Sequence, residues 1–338
     1  MTRFSSFAQT LQASDIAELL ALTEKPEVIS FAGGLPAPEL FPIEEMKKVD
    51  EAIYNEEGRK AVQYGTTEGY VPLREEICKR MKDKFFVDCK PEDVVVTTGS
   101  QQALFILAQI LVDKDQTILM ESPSYMGAIM AFDPVGPKYT EVPTDDQGIV
   151  PEELEKILAA DDSIRMIYVI PEFQNPTGIT WPVERRKAFM DIVNKYDVVV
   201  LEDDPYGEIR YDIEKLPSLK SMDTQGKVVF LGSFSKIFMP GLRLGWIVAN
   251  PEIIDKFVNS NKLSTSARLP SVSVRQHTSS RCLTWKRISL KLRHCMRNAA
   301  ISCISPWEKY FPEGVTFTIR RAACSPGLLC LKAWMRRN

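Results

Sequence analysis

The densest chemistry in this chain surrounds one lysine. Gly232-Ser233-Phe234-Ser235-Lys236 runs through Ile237-Phe238-Met239-Pro240-Gly241-Leu242 to Arg243. Hydroxyl donors and a fixed cation suit a phosphate better than a carboxylate alone. A lysine held among hydroxyls, a phosphate and an apolar wall can lose its proton and form a Schiff base. Taken alone it is an ordinary solvated lysine; its place just after an apolar strand makes it a candidate for covalent chemistry. The S-x-x-K spacing also occurs in serine penicillin-binding enzymes, but the S-D-N and K-T-G strings they need are absent here.

Four further groups carry polar side chains in similar places. Thr98-Gly99-Ser100-Gln101-Gln102 precedes an apolar run, so free N–H groups at a helix start can hold an anion. The plainer reading of that string is a helix cap by Ser100. Asp203, in Leu201-Glu202-Asp203-Asp204-Pro205-Tyr206, would sit at a buried strand end and need a cationic or hydrogen-bonding partner. A protonated pyridine nitrogen would supply one; a turn before Pro205 would also explain the motif. Tyr206 and Asn175 can donate hydrogen bonds to a ring oxygen, although Asn175-Pro176-Thr177-Gly178 is otherwise an ordinary turn sequence. Tyr125 can stack on a planar ring or simply pack.

The elements that must position these groups alternate along the chain. Apolar, β-branched runs at 93–98, 117–120, 138–142, 165–170, 197–202, 227–232 and 244–249 read as seven strands. Segments 100–112, 151–160 and 183–195 read as helices between them. Near-continuous apolar strands interleaved with helices predict a three-layer α/β/α fold around a mostly parallel sheet covered on both faces. Nearly every polar group above follows the carboxyl end of a strand, the ligand-binding edge of such sheets. Ahead of them, 11–22 reads as an amphipathic helix and 31–42 as a loop punctuated by Gly and Pro.

The 338 residues carry a net charge of -3, which argues against broad nucleic-acid binding. No apolar run reaches the roughly 18–20 residues of a membrane span, and the N-terminus lacks a secretory pattern. Cys78 and Cys89 read as reduced thiols, and the chain as cytoplasmic. The average charge hides a break near residue 267. Residues 1–266 hold 28 Lys+Arg against 43 Asp+Glu, whereas 267–338 hold 14 against 2, with five of the seven Cys and both His. His277, Cys282, His294, Cys295, Cys303, Cys324 and Cys330 show no CxxC or HxxxH spacing, so no metal site is expected. A basic nucleic-acid arm is ordinarily low in Cys and Trp, unlike this stretch. Synonymous back-translation of 319–338, and of the stretch from Arg281, read two bases later, permits strings that regain the earlier charge balance. The segment 307–318 already reads in frame. Two tail segments are therefore expected to be frameshift products.

Together, Gly232–Lys236 with Pro240–Arg243, Gln174–Gly178 and Asp203–Tyr206 resemble the class I/II, fold-type I, pyridoxal-phosphate aminotransferases. FAGGLPAPELFP, QYGTTEGYVPLR, TTGSQQAL and ESPSYMGA are similar to the branch containing 2-aminoadipate and aromatic aminotransferases. The likeness runs from about residue 10 to 266. It implies an N-terminal helix and substrate loop (1–45), a large cofactor-binding domain (46–266) and a smaller second domain (267–338), here truncated and frameshifted.

The resemblance also implies roles. Lys236 would bond the cofactor pyridoxal 5'-phosphate as a Schiff base and then shuttle a proton. Asp203 would keep the pyridine nitrogen protonated. Asn175 and Tyr206 would bond the ring hydroxyl, and Tyr125 would cover the ring. Ser100, Gln101, Ser233, Ser235 and Arg243 would hold the phosphate, joined by Tyr64 from the partner of a homodimer. Gly34 and Asn175 would lie beside the substrate. The reaction would move an amino group from an amino acid to 2-oxoglutarate. The family's late, carboxylate-binding arginine has no identifiable counterpart among Arg320, Arg321, Arg336 and Arg337. A cofactor-binding but catalytically impaired remnant and a β-lyase of the same fold are the alternatives. A transcriptional regulator would need a DNA-binding domain, for which the roughly 30 residues before FAGGLP leave no room.

Overall fold

The computed structural model describes residues 34–210 and 214–264, with Arg3, Phe4 and Ala8. The expected helix at 11–22 and the whole tail from 267 lie outside the described residues.

Seven strands form one sheet: β1 (Val94–Thr97), β2 (Thr117–Glu121), β3 (Lys138–Val142), β6 (Ile164–Val169), β7 (Val199–Asp204), β8 (Val228–Ser233) and β9 (Gly245–Val248). Their order is β1-β9-β8-β7-β6-β2-β3, and a two-stranded hairpin, β4 (Thr144–Asp145) with β5 (Gly148–Ile149), stands apart. Every pairing in the large sheet is parallel except those of β9, which runs antiparallel to both β1 and β8. The fold is the α/β class expected, with each strand within two residues of its sequence range.

The reversal of β9 has a plain cause. Parallel strands need a crossover of a dozen or more residues, usually helical. The link from Ser233 to Gly245 holds only a 3₁₀ turn at Pro240–Leu242. Because β9 is reversed, its start lies at the same edge as the ends of β1 and β8, with Gly245 opposite both Thr97 and Ser233. Arg243 is thereby delivered to the edge where the other strands end.

Side chains of the strands alternate between two apolar layers, as the two-residue period requires. Val95, Met166, Tyr168, Leu201, Val229, Leu231 and Ile247 face α3 (Gly99–Leu111), α4 (Met126–Phe132) and α8 (Pro251–Ser264). On the other side, Val94, Val96, Phe230, Trp246 and Val248 pack against α1 (Ile43–Ala61) and α2 (Val71–Phe85). Further along, Leu119, Ile167, Val169 and Val200 pack with α5 (Pro151–Ala160) and α6 (Val183–Val193). Helices α1, α2, α4, α7 (Leu219–Met222) and α8 are additional to the sequence expectation. Helix α1 follows an amphipathic pattern, with Met46, Val49 and Ile53 buried.

Candidate active site

Strand β7 reads Val-Val-Leu-Glu-Asp-Asp and all but its first residue is buried. Parity separates its acids. Leu201 lies in the layer under α3, so Asp203 shares that face, while Glu202 and Asp204 point the opposite way. Tyr168, on the neighbouring strand β6, donates its hydroxyl to Asp203 Oδ2 at 2.9 Å. Asp203 Oδ1 is buried with no hydrogen-bond partner among the described residues. Burial pushes the Asp203 carboxyl up to about 6, against the pull of the Tyr168 hydroxyl. An unpartnered buried carboxylate oxygen is costly unless a donor or cation meets it.

Lys236 lies in the turn beyond β8, the strand paired with β7. Its Nζ donates to Gly34 O at 2.7 Å, joining residues 202 positions apart. Gly34 and Lys236, singled out separately in the sequence, are thus neighbours. Phe234 anchors the turn beneath: its N–H donates to Leu244 O at 3.0 Å, and its ring tilts on Trp246 at 4.9 Å.

The anion-binding features gather beside them. Helix α3 starts at Gly99, and its cap is Thr98, not Ser100. Ser100 therefore lies in the first turn, where N–H groups lack acceptors, and its buried hydroxyl has no partner among the described residues. The Gln101 side chain is turned away to donate to Gly127 O at 2.6 Å, which leaves its backbone N–H for an anion. Ser233 Oγ accepts from Ser235 N–H at 3.1 Å. Gly99 has a φ of +74°, and a Cβ there would stand 2.8 Å from Arg243 Nη2. The guanidinium thus packs on the start of α3, and only glycine fits under it. Gly99→Ala is expected to weaken affinity for a phosphorylated cofactor about tenfold, or about 1.4 kcal/mol. Fluorescence titration of the cofactor-free protein checks this.

Tyr125 immediately precedes α4 and is half-buried. Burial pushes its phenol up, Asp203 adds to that, and Arg243 opposes it, so all three share one electrostatic field. Asn175 lies in the loop after β6, whose turn closes through Gly178 N–H to Gln174 O at 2.6 Å and Thr177 N–H to Gln174 Oε1 at 2.7 Å. Tyr206 is buried after β7. Tyr64 is not drawn into this group: its residue is 79% exposed, beyond the end of α1. Sequence reasoning missed Tyr168, hidden in an apolar strand, and Glu121. Glu121 is buried at the end of β2, accepting from Ile170 N–H and Trp181 Nε1, and burial pushes it up to about 8.

A buried acid with one unpartnered oxygen, an amine in the turn after the next strand and an anion cradle at one helix start suit a phosphorylated, ring-nitrogen cofactor. Comparison with known proteins makes this specific. Residues 28–289 match the family model for aminotransferase class I and II. The chain is 34% identical over 330 residues to the aromatic-amino-acid aminotransferase 1 of Thermococcus litoralis, covering 93% of this chain and 76% of that protein. It is 43% identical over 262 residues to the 2-aminoadipate transaminase of Thermus thermophilus, covering 77% of this chain and 64% of that one. The solved structure of LysN, the α-aminoadipate aminotransferase from Thermus thermophilus complexed with N-(5'-phosphopyridoxyl)-L-leucine, superposes with a TM-score of 0.83. The identity is 36%, over 95% of this chain and 80% of that one. This chain belongs to the class I and II aminotransferases, enzymes whose cofactor is pyridoxal 5'-phosphate. The residues present fit that cofactor: Asp203 Oδ1 is open to a ring N–H, and the Ser100 hydroxyl and Gly99–Arg243 contact suit a phosphate ester. Among the described residues no helix is long and apolar enough to cross a membrane.

Proposed function

We propose that the chain transfers the amino group of an aromatic amino acid or 2-aminoadipate to 2-oxoglutarate. The observation that carries this is the open, buried oxygen of Asp203 on the strand beside the one that leads into Lys236. The names of the two relatives supply the donor class. Bound pyridoxal phosphate supplies an electron sink for negative charge developing at the substrate Cα.

The protein's own residues do the rest. Asp203 holds a proton on the ring nitrogen, and Tyr168 holds Asp203. Lys236 Nζ would hold the cofactor and would move the proton at the substrate Cα. The Gly34 carbonyl keeps that amine beside the substrate loop. Asn175 and Tyr206 donate toward the ring hydroxyl, and Asn175 also faces the substrate. Tyr125 covers the ring. Ser100, the Gln101 backbone, Ser233, Ser235 and Arg243 hold the phosphate. Tyr64, exposed beyond the end of α1, would serve the cofactor of a second copy in a homodimer.

The test supplies purified protein with the cofactor, 2-oxoglutarate and a panel of amino donors. The expected result is glutamate formed from phenylalanine, tyrosine and 2-aminoadipate, with kcat/KM at least about tenfold above that for aspartate. Release of pyruvate from a β-substituted amino acid with no 2-oxo acid supplied, faster than glutamate forms when 2-oxoglutarate is present, would assign a β-lyase instead.

A further inference from the structure

Two loops that carry Asn175 and Tyr206 leave neighbouring strands. The β6–β7 ladder ends at the pair Val169 and Glu202, so no sheet hydrogen bond joins the two loops to each other beyond it, although β7 stays paired with β8 as far as Asp204. What joins them is a buried ion cluster under the site, on the face opposite Asp203. Arg210 donates from Nε to Gly207 O, the residue after Tyr206, at 2.5 Å. Its Nη1 donates to Glu214 O at 2.8 Å, and its guanidinium lies 5.9 Å from the centre of the Phe173 ring. Its Nη2 pairs with Glu172 Oε2 at 3.3 Å as an ion pair without a hydrogen bond, three residues before Asn175. Glu172 is pinned in turn by Arg186, which is fully buried and donates to Glu172 Oε1 at 2.8 Å. Arg186 also bonds the carbonyls of Trp181, Pro217 and Pro171. Asp204, whose Oδ1 accepts from Gly207 N–H at 2.6 Å, completes the turn around Tyr206.

We propose that Arg210, held by Glu172, is a positioning residue that sets the spacing of Asn175 and Tyr206 on the cofactor's ring oxygen. The inference rests on the reading that both side chains donate to that oxygen. A buried cluster of this kind is a poor source of stability compared with well-packed apolar residues. Its location is informative: it clamps the two loops where the sheet stops doing so. Phe173 between them has φ of +53°, a conformation the surroundings must impose on a phenylalanine. Misplacing a donor by about 1 Å can cost on the order of 10² in rate.

The test compares Arg210→Met, Glu172→Gln and Arg210→Lys with Tyr206→Phe and with Arg185→Met as a control. Arg185 bonds Asp145 and the Gly148 and Ile149 carbonyls of the β4–β5 hairpin. The readouts are cofactor affinity, the pH midpoint of bound-cofactor absorbance, and melting temperature. Losing donors to an ionised ring oxygen raises the midpoint, here by about one pH unit, in Tyr206→Phe, Arg210→Met and Glu172→Gln. Arg210→Lys is expected to fall between them and wild type, and Arg185→Met to lower the melting temperature with no change in midpoint. If Tyr206→Phe shifts the midpoint while Arg210→Met and Glu172→Gln do not, the positioning role is overturned and the site reading stands. If Tyr206→Phe itself leaves the midpoint unmoved, both fall. Should Arg210→Met prove insoluble, Arg210→Lys and Glu172→Gln decide by the same comparison.

Discussion

Replacing Lys236 with Ala is expected to abolish transamination, with kcat reduced by at least about 10⁴-fold. The size follows from two roles falling on one amine. On the proposed reading the same Nζ would attach the cofactor and move the proton at the substrate Cα, so its loss would remove both. No neighbour substitutes: the Ser233 and Ser235 hydroxyls lack the basicity, and Arg243 carries no amine that could take the place of Nζ. The fold should survive, because Lys236 is only partly buried and its bond is made to the Gly34 carbonyl. Single-turnover assays with circular dichroism on the same preparation separate the two effects. A variant that keeps its spectrum of secondary structure and retains a tenth of wild-type turnover would remove Lys236 from the mechanism.

Asp203→Asn is expected to lower kcat by about 10²–10³-fold, the scale of losing one preorganised charge in a dry site. Shape is kept, since the amide oxygen still accepts from Tyr168, but the charge proposed to hold a proton on the ring nitrogen is gone. The same substitution is expected to raise the stability of the cofactor-free protein at pH 7.5. Burial places the folded Asp203 carboxyl at about 6, above its ordinary value of 3.8. A group shifted this way contributes stability that is present below its unfolded pKa and lost as pH rises through its folded pKa. At pH 7.5 the ionised acid therefore weighs against the empty fold, and the amide relieves it. The gain in melting temperature should shrink toward zero near pH 4, and cofactor should stabilise wild type more than the variant. Melting curves at the two pH values check the sign.

These two residues were legible because each combines a rare side chain with a strand end. The apolar runs at 165–170, 197–202 and 227–232 mark β6, β7 and β8 closely, and 151–160 matches α5, Pro151–Ala160, end to end. A buried strand advertises itself through uninterrupted β-branched residues, and any polar residue at its end stands out against them. The helix-cap reading of Ser100 was equally reasonable from sequence; geometry places the cap two residues earlier, at Thr98.

What stayed hidden depends on topology. Tyr168 in Arg-Met-Ile-Tyr-Val-Ile reads as one more apolar strand residue until β6 is laid beside β7 with its parity matched to Asp203. The reversal of β9 was readable in principle, because the stretch from Ser233 to Gly245 is too short for a helical crossover. Arg186 and Arg210 look like surface cations in their own segments. Only the fold carries them under the site, where Glu172 meets both. Long-range pairings of this kind leave no local period in the chain, so no window of sequence displays them.

The most direct test of the account is to reduce the pyridoxal phosphate-loaded protein with borohydride, digest it and map the modified peptide by mass spectrometry. Reduction makes an amine-bonded cofactor permanent. A phosphopyridoxyl group is expected on Lys236, absent when amino donor is added before the reductant. A label on another lysine, such as Lys227, or no stable label on a protein that forms glutamate, would contradict it.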